Sequence, residues 1–254
     1  MCRIIAVANQ KGGCGKTTTA VNLSTALAEL NRKVLLIDLD PQGNASIHMG
    51  IKIYDLERSM YDVLVDPDRM IKSVIMPTEI NGLDIAPANI ELSGAEIELV
   101  NVIGREAAFK DSLDNIDKEY DYILIDCPPS LGLLTLNALN MANEVIIPVQ
   151  TEYFALEGMR KLLKTIDVVT KRLNHKLIIA GILPTMYDAR TKLSEEILKK
   201  IKEHFKDKVY KTKIRKNIRL AEAPSFGLPI EKYAPHSFGA QDYHKLAEEV
   251  IGYE

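Results

Sequence analysis

A glycine-rich segment at residues 12–18 lies directly between an apolar run at residues 4–8 and a helical pattern at residues 17–30. Glycines allow backbone N–H groups to converge on an anion, and the N-terminus of the following helix adds partial positive charge there. The order strand, glycine-rich turn and helix therefore predicts a phosphate-binding loop. Such a chain is expected to fold around a parallel sheet and to bind its ligand at the carboxyl ends of the strands.

The rest of the chain repeats the alternation of strand and helix. Continuous apolar runs, typical of strands covered on both faces, predict strands at residues 4–8, 34–37, 122–125, 145–149 and 177–183. Apolar residues at three- and four-residue spacing predict helices at residues 17–30, 90–115, 133–141, 156–173 and 193–205, with a closing helix near residues 243–251. Residues 50–87 are weakly patterned, and only a short helix at residues 60–65 is expected there.

This alternation predicts an α/β fold with a doubly wound, mostly parallel sheet and helices on both faces. No linker rich in proline, glycine or serine divides the 254 residues, so we expect a single domain over residues 1–254. Cys2, Cys14 and Cys127 form no CxxC pair, which argues against a disulfide framework or a zinc knuckle and favours a passive role in a reducing cytoplasm. No apolar run approaches the ~18 residues of a membrane span.

The residues of the glycine-rich segment have separate expected roles. Lys16 is placed to neutralise the β- and γ-phosphates of a nucleotide, and Thr17 offers a hydroxyl to Mg²⁺, which prefers oxygen ligands. The candidate nucleotide-binding residues of this segment are Lys11, Gly12, Gly13, Cys14, Gly15, Lys16, Thr17 and Thr18.

Three aspartates follow predicted strands at the same edge of the sheet. Asp38 and Asp40 end the second strand, and Asp126 follows the strand at residues 122–125, one residue before two consecutive prolines. Carboxylates at this edge need a cation or a proton-transfer role. Asp38 and Asp40 could bear on a magnesium ion or on an attacking water, and Asp126 is placed to contact Mg²⁺ through water.

The glycine-rich segment departs from the usual spacing because it begins with Lys11 in the pattern KGGCGKTT. This pattern resembles the deviant Walker A motif of the ParA/MinD family of P-loop NTPases. The resemblance implies an ATPase with ATP and Mg²⁺ as ligands, slow and partner-stimulated turnover, and a homodimer with ATP sandwiched between protomers. It also implies that Lys11 reaches the partner's phosphates, where its charge would be catalytic in the manner of an arginine finger. The resemblance further implies that Asp40 orients or activates the attacking water and that Asp38 supports the metal through water. The candidate catalytic residues are Lys11, Lys16 and Asp40, and the candidate metal residues are Thr17, Asp38 and Asp126.

Two C-terminal segments resemble chromosomal members of the same family. Residues 215–227 are similar to the family pattern PRNxRLxEAPSFG, in which the asparagine contacts adenine, so the resemblance assigns Asn217 to the base. Arg215 stands where the pattern has proline, which is a departure at the edge of the expected base pocket. Residues 187–191 match the family's YDART stretch, whose arginine belongs to a DNA-binding surface.

Residues 190–219 are strongly basic. They contain twelve Lys or Arg and four Asp or Glu, a net +8, and because the whole chain carries −3 the remainder carries −11. Such a run is equally compatible with a solvated helix face, but together with the resemblance it predicts nonspecific contact with the phosphates of double-stranded DNA. The candidate DNA-binding residues are Arg190 and Arg219, followed by Lys199, Lys202 and Lys216.

The resemblance implies an ATP-dependent dimerisation switch in chromosome or plasmid partitioning, nucleoid-associated in the cytoplasm and stimulated by a ParB-like partner. A MinD-like membrane-cycling ATPase is the first alternative, but it needs a basic amphipathic C-terminal helix. Residues 241–254 instead hold more acids than bases, so no membrane association is expected. An ATPase that positions another cargo is the second alternative, because the partner chooses the cargo.

Overall fold

The apolar runs of the sequence form the strands of one sheet. The computed structural model describes residues 2–113, 115–152 and 155–252, with the backbone alone at residues 155–157, and these residues contain seven strands. They are β1 (Arg3–Val7), β2 (Val34–Asp38), β3 (Met76–Pro77), β4 (Leu83–Ala86), β5 (Tyr122–Asp126), β6 (Glu144–Gln150) and β7 (Ile178–Thr185). The strand order is β3-β4-β2-β5-β1-β6-β7, and neighbours are parallel except for the antiparallel pair β3 and β4.

Helices cover both faces of this sheet. In the described part of the chain they are α1 (Lys16–Glu29), α2 (Asn44–His48), α3 (Met60–Val65), α4 (Leu92–Glu98), α5 (Ala108–Asp111), α6 (Leu133–Met141), α7 (Ala155–Arg172), α8 (Lys192–Phe205), α9 (Ile218–Glu222), α10 (Ile230–Tyr233) and α11 (Phe238–Ile251). Successive residues of β1 alternate between two apolar clusters, with Ile4 in one and Ile5 in the other. The cluster around Ile5 contains α1 and α11, and the cluster around Ile4 contains residues of α6, α7 and α8. The predicted doubly wound fold is therefore confirmed.

The predicted helix at residues 90–115 is wrong. Most of this stretch consists of α4, a 3₁₀ turn at Leu99–Asn101 and α5, and residue 114 lies outside the described residues. Gly104 interrupts the apolar periodicity with a φ of +78°, a left-handed conformation that ends a helix. The buried apolar residues of these short helices instead pack into the apolar cluster that also contains residues of α6.

The weakly patterned region also differs from expectation. The helix at residues 60–65 is confirmed as α3, and Ser59 caps it by accepting a hydrogen bond from the backbone N–H of Tyr61. The strands β3 and β4 were not predicted, because two and four residues are too few to show a periodicity. They extend the edge of the sheet beyond β2.

The parallel register brings the functional segments together. Asp38 and Asp126 are direct neighbours across β2 and β5, and Val7 at the end of β1 lies beside Asp126. The loop after β1, the loop after β2 and the loop after β5 therefore meet at the carboxyl edge of the three central strands. No helix in the described ranges is long and apolar enough to cross a membrane.

Candidate nucleotide-binding site

The loop after β1 is shaped by two glycines in left-handed conformations. Gly13 has a φ of +69° and Gly15 a φ of +89°, both costly for residues with a Cβ. From β7, the hydroxyl of Thr185 donates a hydrogen bond of 2.8 Å to the carbonyl of Cys14 and fixes the loop. No side chain caps the N-terminus of α1, so its first N–H groups face the loop as donors for an anion.

The side-chain amine of Lys16 lies within this loop, whereas the side-chain amine of Lys11 points out of it. The Nζ of Lys16 donates to the carbonyl of Lys11 at 3.2 Å, and only 7% of Lys16 is exposed. The Nζ of Lys11 lies instead at the end of β6, where it donates to Oε1 of Gln150 at 3.1 Å and to Oε2 of Glu152 at 2.8 Å. The side chain of Lys11 is 39% exposed, so this ion pair is weak and readily exchanged.

Asp38 organises the loop after β2. Its Oδ1 accepts from the backbone N–H of Asp40 at 3.1 Å, and its Oδ2 accepts from the N–H of Ser46 at 2.9 Å and from the Ser46 hydroxyl at 2.7 Å. Burial raises the pKa of Asp38 to about 6 despite these three hydrogen bonds. The structure therefore places Asp38 at the predicted site but with both oxygens already engaged by the loop.

Asp126 has the opposite environment. It is fully buried, and neither carboxylate oxygen has a hydrogen-bond partner in the described part of the chain. Burial raises its pKa well above the ordinary value and the Asp38 carboxylate raises it further, while Thr17 and Lys16 oppose the rise. A buried carboxyl group without partners needs a cation to become ionised.

These residues fit a magnesium ion. Thr17 lies beside Asp126 and its hydroxyl lowers the pKa of that carboxyl group, so the two residues offer oxygen atoms at one point. No cluster of three or more His, Cys, Asp or Glu that could hold a metal occurs among the described residues. The pair of Asp126 and Thr17 suits Mg²⁺, which keeps several waters and takes only one or two protein ligands beside phosphate oxygens.

Two adjoining cavities lie over the loop. The first, of about 460 Å³, contains seven of the predicted residues, and the second, of about 400 Å³, contains Asn217 and shares Gly15 and Thr18 with the first. The predicted residues that line the first cavity are Gly12, Gly13, Gly15, Lys16, Thr17, Thr18 and Asp40. Neither Cys14, whose side chain is buried, nor Lys11 is among the residues that line the described part of either cavity.

Asp40 faces the first cavity with one oxygen in use. Its Oδ1 accepts from the backbone N–H of Gln42 at 3.0 Å, and Asp40 is 6% exposed. The loop that carries it also places His48, at the end of α2, on the wall of the same cavity. His48 was not predicted, because only its burial marks it: Nε2 has no partner among the described residues, and burial lowers its pKa to about 4. The imidazole is therefore neutral at pH 7.

Asn217 and Arg215, the residue that departs from the family pattern, both line the second cavity. The Oδ1 of Asn217 accepts from the N–H of Arg219 at 2.9 Å and caps α9, which leaves the amide nitrogen of Asn217 available. The guanidinium of Arg215 turns towards α11, where it bonds Asp242 at 2.6 Å and stacks on the ring of Phe238 at 4.1 Å. Arg215 therefore keeps its charge paired at the wall of the cavity.

The predicted basic residues lie on adjoining surface segments. Backbone hydrogen bonds of 3.0 Å join Tyr187 to Ile214 and Lys216, which sets the segment before α8 beside the segment before α9. Arg190 and Arg219 are exposed and pair with acids on their own segments, Asp188 and Glu222. Lys199, Lys202 and Lys216 are also exposed, the first two on α8.

The fold and this site define an α/β nucleotide-binding protein of the P-loop class with an additional lysine at the start of the loop. A family model described as an AAA domain matches residues 2–179. The chain is 54% identical over 250 residues to the sporulation initiation inhibitor protein Soj of Bacillus subtilis, with 98% of each chain covered. It is 49% identical over 254 residues to the chromosome partitioning protein ParA of Caulobacter vibrioides, with 99% and 95% covered.

A solved structure agrees. The cobyrinic acid a,c-diamide synthase from Mycobacterium smegmatis with bound ADP and magnesium is 38% identical and superposes with a TM-score of 0.87, covering 99% of this chain and 94% of that one. The chain belongs to the ParA/MinD family of P-loop NTPases, with Soj and ParA chromosome-partitioning proteins as relatives. The resemblance inferred from the sequence motifs is thereby confirmed.

Proposed function

We propose that this chain is an ATP-dependent dimerisation switch for partitioning DNA. It binds ATP with Mg²⁺, forms a dimer with ATP at the interface, binds DNA nonspecifically and is released when a ParB-like partner stimulates hydrolysis. The observation that carries the proposal is the separation of the two lysines: Lys16 lies in the nucleotide cavity, and the amine of Lys11 lies outside it. An amine in that position serves its own site poorly, and its exposed ion pair with Glu152 is weak enough to be exchanged for a contact with another protomer.

In the proposed reaction the chain's own groups position the γ-phosphate and the water. The backbone N–H groups of the loop and the Nζ of Lys16 hold the phosphates. The second oxygen of Asp40 orients the attacking water and accepts its proton. Lys11 of the partner subunit stabilises the charge of the transition state. Mg²⁺, held through Asp126 and Thr17, would supply charge neutralisation of the phosphate oxygens.

The same proposal accounts for the basic surface. Arg190, Arg219, the lysines on α8 and Lys216 before α9 carry exposed charge on segments joined at Tyr187, and contacts of such charges with phosphates carry no sequence information. We therefore assign them to the phosphate backbone, with the nucleoid as the cellular location. The sequence identity of 54% to Soj and 49% to ParA supports the chromosome as the cargo over other cargoes.

Binding of the Asp40→Ala protein to random-sequence duplex DNA, and in parallel to anionic liposomes, tests this function. ATP-dependent and salt-sensitive DNA binding without liposome binding is the expected result. Liposome binding would replace the proposal with a membrane-cycling ATPase, and binding to neither surface would favour the positioning of another cargo.

Arg219→Glu should weaken DNA binding by at least about tenfold and reduce the slope of log affinity against log salt by about one. The reason is that the variant replaces a phosphate contact by a repulsive charge. Fluorescence anisotropy with a random duplex, in the presence of ATP, measures both quantities. Lys171→Glu is the matched control, because Lys171 is also exposed and paired with an acid, Asp167, on its own helix. An equal loss of DNA affinity in the two variants would contradict the assignment of this surface to DNA binding.

Glu152→Gln should strengthen the ATP-dependent dimer about two- to fivefold, since it releases Lys11 from an exposed ion pair. Sedimentation equilibrium of the variant in an Asp40→Ala background measures the dimer constant without hydrolysis. Asp167→Asn, which breaks the exposed pair with Lys171, is the control and should leave the constant unchanged. A weaker dimer in Glu152→Gln would mean that Glu152 itself contacts the partner.

A further inference from the structure

A third cavity, of about 340 Å³, lies away from the nucleotide site, between the end of α1, α10 and α11. Its floor is formed by Glu231, and its rim carries the exposed residues Glu29, His244 and Glu248. None of its lining residues belongs to the two cavities over the phosphate loop. The proposed nucleotide chemistry therefore gives this cavity no role.

Glu231 is the unusual group in this cavity. It is 8% exposed, and neither Oε1 nor Oε2 has a hydrogen-bond partner in the described part of the chain. The backbone leaves it little freedom, because the N–H of Ile230 donates to Oδ1 of Asn22 on α1 at 2.7 Å and pins the start of α10. A buried carboxyl group without partners is costly, and a turn of the Glu231 side chain towards the adjoining cavity would give its oxygens access to a partner.

The surroundings of Glu231 select for positive charge. The titratable and charged groups that face the cavity or Glu231 are Glu29 from α1 and Tyr243, His244, Lys245 and Glu248 from α11. The cavity is therefore lined by three carboxyl groups, those of Glu29, Glu231 and Glu248, and by one lysine. Burial, followed by the Glu29 carboxylate, raises the pKa of Glu231 to about 8, so its proton can be displaced by a cation at neutral pH.

The size of the cavity and the arrangement of its carboxyl groups determine which kind of cation fits. The cavity has one buried carboxyl group, that of Glu231, and two exposed carboxyl groups at its rim, those of Glu29 and Glu248. The cavity volume is many times the ~30 Å³ share of a water molecule. An ammonium or guanidinium group on a carbon chain fits both facts, since it needs one buried carboxylate and acids at the rim.

We propose that this cavity is a binding site for an ammonium or guanidinium group, with Glu231 as the carboxylate that ionises when the cation enters. The proton leaves Glu231 for solvent as the ion pair forms. At pH 7 a group with a pKa of about 8 is roughly nine-tenths protonated, so binding should release close to one proton per cation. At pH 9.5 the same binding should release almost none.

Isothermal titration calorimetry of the full chain tests the site with two probes. Nα-acetyl-arginine amide represents a protein side chain and keeps its charge at pH 9.5, and spermidine represents a free polyamine. The heat of binding in two buffers of different ionisation enthalpy gives the number of protons released. We expect binding of at least one probe, release of nearly one proton at pH 7 and loss of that release at pH 9.5.

Variants identify the group responsible. Glu231→Gln preserves the shape of the protonated side chain and should weaken binding by at least about tenfold and abolish proton release. Glu29→Gln should weaken binding only severalfold and leave the proton release intact. Glu195→Gln, at an exposed acid on α8, is the control for nonspecific attraction to an acidic protein and should change nothing.

Three results would overturn the site. One is the absence of any heat from either probe at about 10 mM, above the range of millimolar sites. The others are binding without proton release at pH 7, and equal affinity in the wild type and Glu231→Gln. Proton release by the wild type needs no variant to fold, so the proposal is testable even if Glu231→Gln proves unstable.

Discussion

Lys11→Ala is expected to bind ATP with nearly unchanged affinity but to lose ATP-dependent dimerisation and about 10³-fold in stimulated hydrolysis, the low end of the contribution of an arginine finger. The physical reason is the position of the amine. It lies at Gln150 and Glu152, outside the cavity that Lys16 occupies, so its removal costs the protein's own nucleotide little. Equilibrium nucleotide binding, sedimentation and a phosphate-release assay measure the three quantities.

A mixing experiment separates action on the partner from action within one protomer. Lys11→Ala lacks the lysine but keeps Asp40, and Asp40→Ala keeps the lysine but lacks the carboxylate. If Lys11 serves the partner's site, a mixed dimer contains one complete site, and mixing two inactive proteins should restore part of the hydrolysis. If Lys11 serves its own site, mixing should restore nothing. Lys171→Ala, another exposed lysine in an ion pair, should behave as the wild type.

Asp40→Ala is expected to reduce the hydrolysis rate by about 10²- to 10⁴-fold, the usual contribution of a group that transfers a proton in the transition state, and to prolong the ATP-bound dimer. Asp40 lines the nucleotide cavity, and among the described residues only one of its oxygens accepts a hydrogen bond, from the N–H of Gln42. Single-turnover hydrolysis with pre-bound ATP, together with the decay of the dimer after a chase with ADP, measures both effects.

Asp40→Asn distinguishes chemistry from loop structure. The asparagine retains an oxygen that can accept from Gln42, so the loop keeps its shape, but it cannot act as a base. Both variants should therefore be inactive. Activity in Asp40→Asn with inactivity in Asp40→Ala would show that the side chain only shapes the loop and would contradict the assignment.

The parts of the site that depend on local order could be predicted from the sequence. A strand, a glycine turn and a helix place the loop by themselves, and Asp38 and Asp126 follow apolar runs whose carboxyl ends meet in any parallel sheet. The apolar periodicity of residues 90–115 predicted one long helix wrongly, because Gly104 and turns divide a pattern that several short helices share. Periodicity also missed β4, which is only four residues long.

The remainder depends on which side chain reaches which neighbour. The sequence could not tell that Ser46 and Asp40 occupy both oxygens of Asp38 while those of Asp126 stay free, although both residues follow strands. Nor could it pair Arg215 with Asp242, twenty-seven residues later, or bury His48 beside the nucleotide cavity. These contacts form only when the segments after β2, before α9 and within α11 are folded against one another.

The bond from Thr185 to the carbonyl of Cys14 holds the phosphate loop in shape within the single chain. A loop that is already ordered accepts the phosphates common to ADP and ATP with little loss of conformational entropy, and so discriminates weakly between them. In the proposed function, discrimination then falls to Asp40 and Lys11, which would act only where a γ-phosphate is present. Single chains would therefore be filled in proportion to the total adenine nucleotide pool, whereas pairs of chains would respond to the ratio of ATP to ADP, so that the protein senses the energy state of the cell only as a pair.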